Sequence, residues 1–185
     1  DLIKERIELD KIEIISKNLE PFSERLEKSA NAAVAIILKA LNSNIYLLVV
    51  KRAISPRDPW SGHFSLPGGK RELRDGSLLE TVMREVNEET GIDLREGVLL
   101  GVVEPERSKS NPNIIVLPFV FLLKNEVPIN LNKRELESYV WAPLDALLVS
   151  ERTIKIGSQE HQAFVIDDMV IWGLTYRILR KIFKD

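Results

Sequence analysis

Hydrophobic and polar positions change their pattern several times along the chain. Across residues 1–28, Leu2, Ile3, Ile7, Leu9, Ile12 and Ile15 are scattered at helical spacing among charges, which predicts one or two helices packed on the main body. The continuous runs Ala32-Ala-Val-Ala-Ile-Ile-Leu and Ile45-Tyr-Leu-Leu-Val-Val flank Asn42-Ser-Asn and predict a hairpin covered on both faces. From Ala53 to Asp75 periodicity is lost, and Pro56, Pro59, Pro67 and Gly68-Gly69 punctuate a long loop with room for one short strand at Phe64-Ser-Leu. Loops of about twenty residues inside a compact domain are usually functional. From Ser77 to Thr90 the pattern is helical. Ser77 with Glu80 signals the start, Leu79, Val82, Met83 and Val86 form one apolar stripe, and Gly91 marks the stop. Strands are predicted at Val98–Val103, Ile114–Leu123 and Tyr139–Ala142, a helical turn at Leu144–Leu148, and a late hairpin from Ile154–Ile156 and Ala163–Ile166. Met169 to Phe183 closes the chain as an amphipathic helix. Irregular alternation of this kind predicts an α/β (α+β) fold, an α/β/α sandwich with a mixed β-sheet between helices.

Composition narrows the chemistry. The chain has 185 residues, 44% hydrophobic and 29% charged, enough for one domain with a full core. It has no cysteine, which excludes disulfides, thiolate metal sites and a cysteine nucleophile. His63 and His161 are its two histidines, so a resident metal would be held mainly by carboxylates and would be a hard cation. Twenty-six basic and 28 acidic residues leave a net charge of −2, which provides no global field for nucleic acid or an anionic membrane. Neither a spanning apolar run nor a signal-type core is present, and a cytoplasmic location is expected.

Chemistry concentrates in Arg84-Glu-Val-Asn-Glu-Glu-Thr-Gly-Ile. Glu85, Glu88 and Glu89 stand at i, i+3 and i+4 and share one helix face. Three carboxylates together repel one another, and near a helix C-terminus the macrodipole adds to the penalty. Either the face is simply solvated or it gathers around a divalent cation. Lys51, Arg52, Arg57, Lys70, Arg71 and Arg74 surround the preceding loop; singly they are solubilising charges, and together with glycine amides they suit a phosphate-containing ligand.

Together these residues resemble the Nudix box. Gly69-x5-Asp75-x8-Arg84-Glu85-Val86-x-Glu88-Glu89-x-Gly91-Ile92 follows the family pattern G-x5-E-x7-R-E-U-x-E-E-x-G-U, where U is aliphatic. Its second half matches at every fixed position, whereas the first half has Asp75 in place of glutamate and one additional residue before Arg84. That departure, Asp58-Pro-Trp-Ser-Gly-His-Phe-Ser-Leu-Pro67-Gly-Gly upstream and Ile171-Trp-Gly-Leu-Thr downstream are similar to the branch of coenzyme A pyrophosphatases, although Gly62-His63 stands where that branch has glycine-glutamine.

The resemblance implies a Nudix-type sandwich over residues 29–185 with residues 1–28 as a helical extension. It implies hydrolysis of a diphosphate linkage in a small nucleotide-diphosphate molecule such as coenzyme A, with ADP-ribose, dinucleotides or nucleoside triphosphates as rival substrates and a non-catalytic binding module as the rival class. Magnesium or manganese is the implied cofactor, held by Glu85, Glu88 and Glu89 with a carbonyl of the Gly68-Gly69 turn at Gly69. The same resemblance implies that Arg84 would orient the glutamates and pair with Asp75, and that Arg52 and Lys70 would hold phosphate oxygens. Trp60 is a stacking residue or a loop anchor, and His63 a phosphate contact or a structural residue. The general base lies among Glu88, Glu89, Glu104, Glu106 and Glu137. No partner is indicated for His161, Trp141 and Trp172 are expected in the core, and Arg177, Arg180, Lys181 and Lys184 are expected on a solvated helix face. Similar enzymes are frequently dimers, so a homodimer is carried as an expectation, with neither nucleic acid nor membrane as partner.

Overall fold

The apolar run of β1 (Ala32–Leu41) is buried on both faces because it lies at the centre of an eight-stranded sheet. Ala33, Ala35 and Ile37 face one side, and Ile36 and Leu38 the other. The computed structural model describes residues 1–58 and 60–183; the Pro59 punctuation and the Lys184 member of the C-terminal basic group lie outside the described residues. β1 turns into β2 (Asn44–Arg52) through Asn42 and Ser43 at φ 50° and 70°, the left-handed pair that a two-residue hairpin demands. On its other side β1 runs parallel to β7 (Ile115–Leu123), so the sheet is mixed, in the order β3-β2-β1-β7-β5 with β3 at Phe64–Ser65 and β5 at Gly97–Val102. Three further strands join it: β4 (Gly68–Lys70) pairs with β1, β6 (Glu106–Arg107) with β7, and β8 (Leu136–Pro143) with β2.

Helices cover both faces, which gives the expected α/β/α sandwich. On one face, α3 (Leu78–Thr90) buries Leu78, Val82 and Val86 against Ala33, Ile37, Phe119 and Phe121. On the other lie α1 (Leu2–Ser16), α4 (Leu144–Leu148) and α5 (Gly173–Ile182), which contribute Ile15, Leu147, Ile178 and Leu179. A second sheet, β11-β10-β9, joins this face through Phe164 and Ile171, with β9 at Glu151–Ile156, β10 at Gln159–Ile166 and β11 at Met169–Trp172. The final helix is therefore shorter than its apolar pattern suggests. Met169 and Ile171 alternate with half-buried residues and pair with β10, and the helix begins only at Gly173, where the chain turns at φ +63°.

Residues 1–28 are packed rather than trailing. Ile15 enters one core, and Leu26 of α2 (Glu24–Ser29) is 1% exposed in the other. Among the described residues no helix is long and apolar enough to cross a membrane.

Candidate active site

α3 starts where Ser77 Oγ accepts the N–H of Glu80 at 3.2 Å, and ends where Gly91 takes φ +75°. The carbonyls of Glu89 and Thr90, left over at that end, accept N–H groups from Asn132 at 2.9 Å and Asn130 at 2.8 Å. This ties the C-terminal turn to the segment that precedes β8, while β4 meets its carboxylates. Gly68 donates its N–H to Glu89 Oε2 at 3.2 Å. At Gly69 there is no space for a side chain, since a Cβ there would lie 2.6 Å from the Glu85 carboxyl carbon.

The three glutamates meet different surroundings. Glu89 is 4% exposed; burial, and after it the charge of Glu85, push its carboxyl up to about 8. Burial also raises Glu85, with Arg84 opposing. Glu88 is exposed and lies 3.1 Å from Arg74. Arg84 binds this face together. It grips Asp75 with Nε–Oδ1 and Nη2–Oδ2 contacts of 2.9 Å each, and reaches Glu85 at 3.0 Å and Glu88 at 3.3 Å. Asp75 also accepts the Thr81 hydroxyl at 3.0 Å and the Glu72 N–H at 2.9 Å; the guanidinium, first, holds its carboxyl well below the usual range. Asp75, despite being a shorter acid than glutamate, spans to Arg84 because the loop closes into a turn in which Asp75 N–H meets the Glu72 carbonyl at 3.0 Å.

Of the remaining expected residues, Arg52 lies near enough for its charge to act on Glu89, and its Nε binds Asp58 at 2.8 Å. Lys70 is exposed, and its carbonyl accepts from Arg84 at 3.4 Å. Trp60 is exposed on the loop. His63 instead turns its ring towards Trp172, with centroids 5.7 Å apart. His161 does have a partner, because Trp172 also lies 4.9 Å from its ring. Trp172 and Trp141 are half-buried, Trp141 packing against the core that holds Phe119 and Val86, and the Lys39 ammonium sits 4.4 Å from the Trp141 ring centroid.

The surrounding charges are more paired than the sequence suggests. Lys51 binds Glu137 at 2.9 Å, and Arg71 pairs with Glu27. Arg177 and Lys181 are not on a solvated face: they bind Glu106 at 2.8 and 2.6 Å. Against the cost of its burial, these two cations hold Glu106 below the usual carboxylate range. Arg180 lies 3.5 Å from Glu151. Glu104 lies 3.8 Å from Arg25. Sequence reading missed Glu135, whose charge acts on both Glu85 and Glu89. Its local signal is only a charge run, Lys133-Arg134-Glu135; the Glu135 carbonyl meets the Ala53 N–H at 2.9 Å and so ties this segment to the loop.

Among the described residues, no three acidic or imidazole groups already form a cation-binding cluster. The donor set nevertheless fits a hard cation. It consists of oxygens, Glu89 is a buried carboxylate beside a second raised carboxylate, and the side-chain-free Gly69 leaves the Glu85 carboxylate against bare backbone.

A mixed-sheet sandwich that presents an Arg-Glu-x-x-Glu-Glu helix to a Gly-Gly strand defines a Nudix hydrolase fold. The NUDIX domain family matches residues 29–162, and the chain belongs to that family, whose hydrolases act on pyrophosphate bonds of nucleoside diphosphate derivatives and generally use divalent metals. An uncharacterized Nudix hydrolase, NudL, of Yersinia enterocolitica is 32% identical over 128 residues, 66% of this chain and 65% of its own. The uncharacterized protein C14C4.10c of Schizosaccharomyces pombe is 38% identical over 117 residues, 60% of this chain. The chain thus spans 36% of the length of the yeast relative and 65% of the bacterial one. A MutT/nudix family protein of Enterococcus faecalis shares the fold, with a TM-score of 0.54 at 20% identity over 89% of this chain and 64% of that one.

Proposed function

We propose that this chain hydrolyses a diphosphate linkage with magnesium or manganese as cofactor, and that coenzyme A or a derivative is the substrate, giving 3′,5′-ADP and 4′-phosphopantetheine. One observation carries the reading: Glu89 and Glu85, both raised by burial, face Gly68-Gly69 while Arg84 is anchored to Asp75. Like charges are buried together at a cost that a cation would offset. Glu85, Glu88 and Glu89, with the Gly69 carbonyl, would hold the ion. When bound, such an ion supplies positive charge to phosphoryl oxygens and lowers the pKa of water. Arg84 orients Glu85 and Glu88 through its two contacts, and the Gly68 N–H orients Glu89. Arg52 and Lys70 hold phosphate oxygens at the loop rim, the exposed Trp60 stacks on the substrate's base, and His63, tied to Trp172, anchors the loop beside it. In the same reading residues 1–28 are a helical extension on a hydrolase domain of residues 29–185, acting in the cytoplasm on a small molecule.

The test is a substrate panel. Purified protein with magnesium receives coenzyme A, ADP-ribose, NADH, diadenosine compounds and nucleoside triphosphates, with chelator controls. Release of 4′-phosphopantetheine from coenzyme A, abolished by chelator, is expected. Turnover confined to another member of the panel moves the substrate, and binding without turnover favours a non-catalytic module. Glu89→Gln is expected to lower turnover on the order of 100-fold with no loss of thermal stability, because the amide matches the shape of a carboxyl that burial already holds mostly protonated at neutral pH when no cation is bound, while it removes the charge a cation would need.

A further inference from the structure

Glu27 lies outside residues 29–162 and outside the motif, yet it grips both ends of the loop that carries Asp75. Its helix, α2, is fixed to the sheet: Leu26 is 1% exposed, and Phe22 just before α2 packs edge-on against Phe119 with centroids 5.1 Å apart. From this platform, Glu27 Oε2 accepts the N–H of Leu78, the first residue of α3, at 2.9 Å. Its Oε1 pairs with Arg71 Nη1. The other terminal nitrogen of Arg71 reaches the carbonyls of Asp75 at 3.3 Å and Gly76 at 3.2 Å. The Glu27 side chain is 18% exposed and that of Arg71 36%, so the pair is screened on the arginine side and its value lies in geometry more than in charge.

A purely local cap would not need this arrangement. Ser77 already caps α3, and a carboxylate there gains from the helix dipole without any contact to Arg71. What the second oxygen adds is control of the 71–76 turn. That turn sets the Asp75 carboxylate, Asp75 sets Arg84 through two parallel contacts, and Arg84 reaches Glu85 and Glu88. We propose that Glu27 is a positioning residue for the reaction, acting through Arg71 and Asp75 to hold Arg84 in register with the acidic face of α3. Its kinetic part rests on the diphosphatase reading; its structural part does not.

Two measurements test this on the full chain. The first is the 15N Nε–H resonance of Arg84 and its hydrogen-exchange rate, with Arg177, held by Glu106 elsewhere, as internal control. The second is kcat and KM at saturating metal. Glu27→Ala and Arg71→Ala are each expected to shift the Arg84 resonance and speed its exchange about tenfold, leave Arg177 unmoved, and lower kcat about tenfold with KM within about twofold. The double variant is expected to be no worse than either single one. Glu27→Gln keeps an acceptor for Leu78 and loses the ion pair, so it should fold even if the alanine variant does not, and should show the same shift to a smaller extent. An unmoved Arg84 resonance in Glu27→Gln overturns the proposal, as does a lower melting temperature with unchanged kcat. A wild type inert towards every diphosphate overturns the functional reading instead, and the Arg84 resonance still decides the role of Glu27.

Discussion

At the residue scale, Asp75 and Arg84 carry the greatest electrostatic consequence. Asp75 is 7% exposed, and its carboxyl is held well below the usual range by two Arg84 contacts. Its pKa is thus lower in the folded chain than in the unfolded one. The stability it contributes is complete above about pH 4, the unfolded value, and is lost as pH falls from there towards the folded value. Asp75→Asn is expected to cost about 3 kcal/mol at neutral pH, since it leaves Arg84 with weaker partners. In urea titrations the gap between the two proteins should narrow steadily below about pH 4. A gap that stays constant through acid would mean that the pair contributes geometry and not charge.

At the element scale, the two glycines of β4 have different reasons to be glycine. Gly68 has φ +156°, and a Cβ there would lie 2.2 Å from the Ala33 carbonyl oxygen, so the obstacle is the backbone of β1. Gly68→Ala is expected to cost about 3 kcal/mol by forcing β4 off β1. At Gly69 the obstacle is the far end of a flexible side chain, the Glu85 carboxylate, which can rotate away. Gly69→Ala is expected to cost under about 1 kcal/mol yet displace Glu85 and abolish most turnover. Thermal melts beside activity assays separate the cases; equal destabilisation by both would contradict this division. The same scale shows where local pattern reading succeeds and fails. α3 was legible because its cap, stripe and stop all lie within its own residues Ser77–Gly91. β11 was not, because its four residues follow a hairpin and lead directly into a helix, so a period of two has no length in which to appear.

At the scale of the whole molecule, one sheet joins two cores. Phe164 and Ile171 of the second sheet share a core with Leu38 and Leu47 of the first, and Ala33 and Ile37 of the same β1 serve the opposite face. Loss of one face therefore removes support from the other, and Phe164→Ala is expected to lower the stability of one shared transition by about 4 kcal/mol. Circular dichroism and tryptophan fluorescence should give coincident midpoints; a separate early fluorescence transition would show that the second sheet unfolds alone.

The sequence by itself determined the mixed α/β class, the hairpin at Asn42-Ser43, the long loop and the acidic face of α3, because hydrophobic period, turn chemistry and capping act between residues close in the chain. Only the tertiary structure decided which charges meet. Glu27 reaches Leu78 across 51 positions and Arg177 reaches Glu106 across 71, while Glu135 and the His63–Trp172–His161 group are brought together by sheet topology. Ion pairing and burial depend on distance in space, and a one-dimensional pattern carries that distance only where folding keeps neighbours as neighbours.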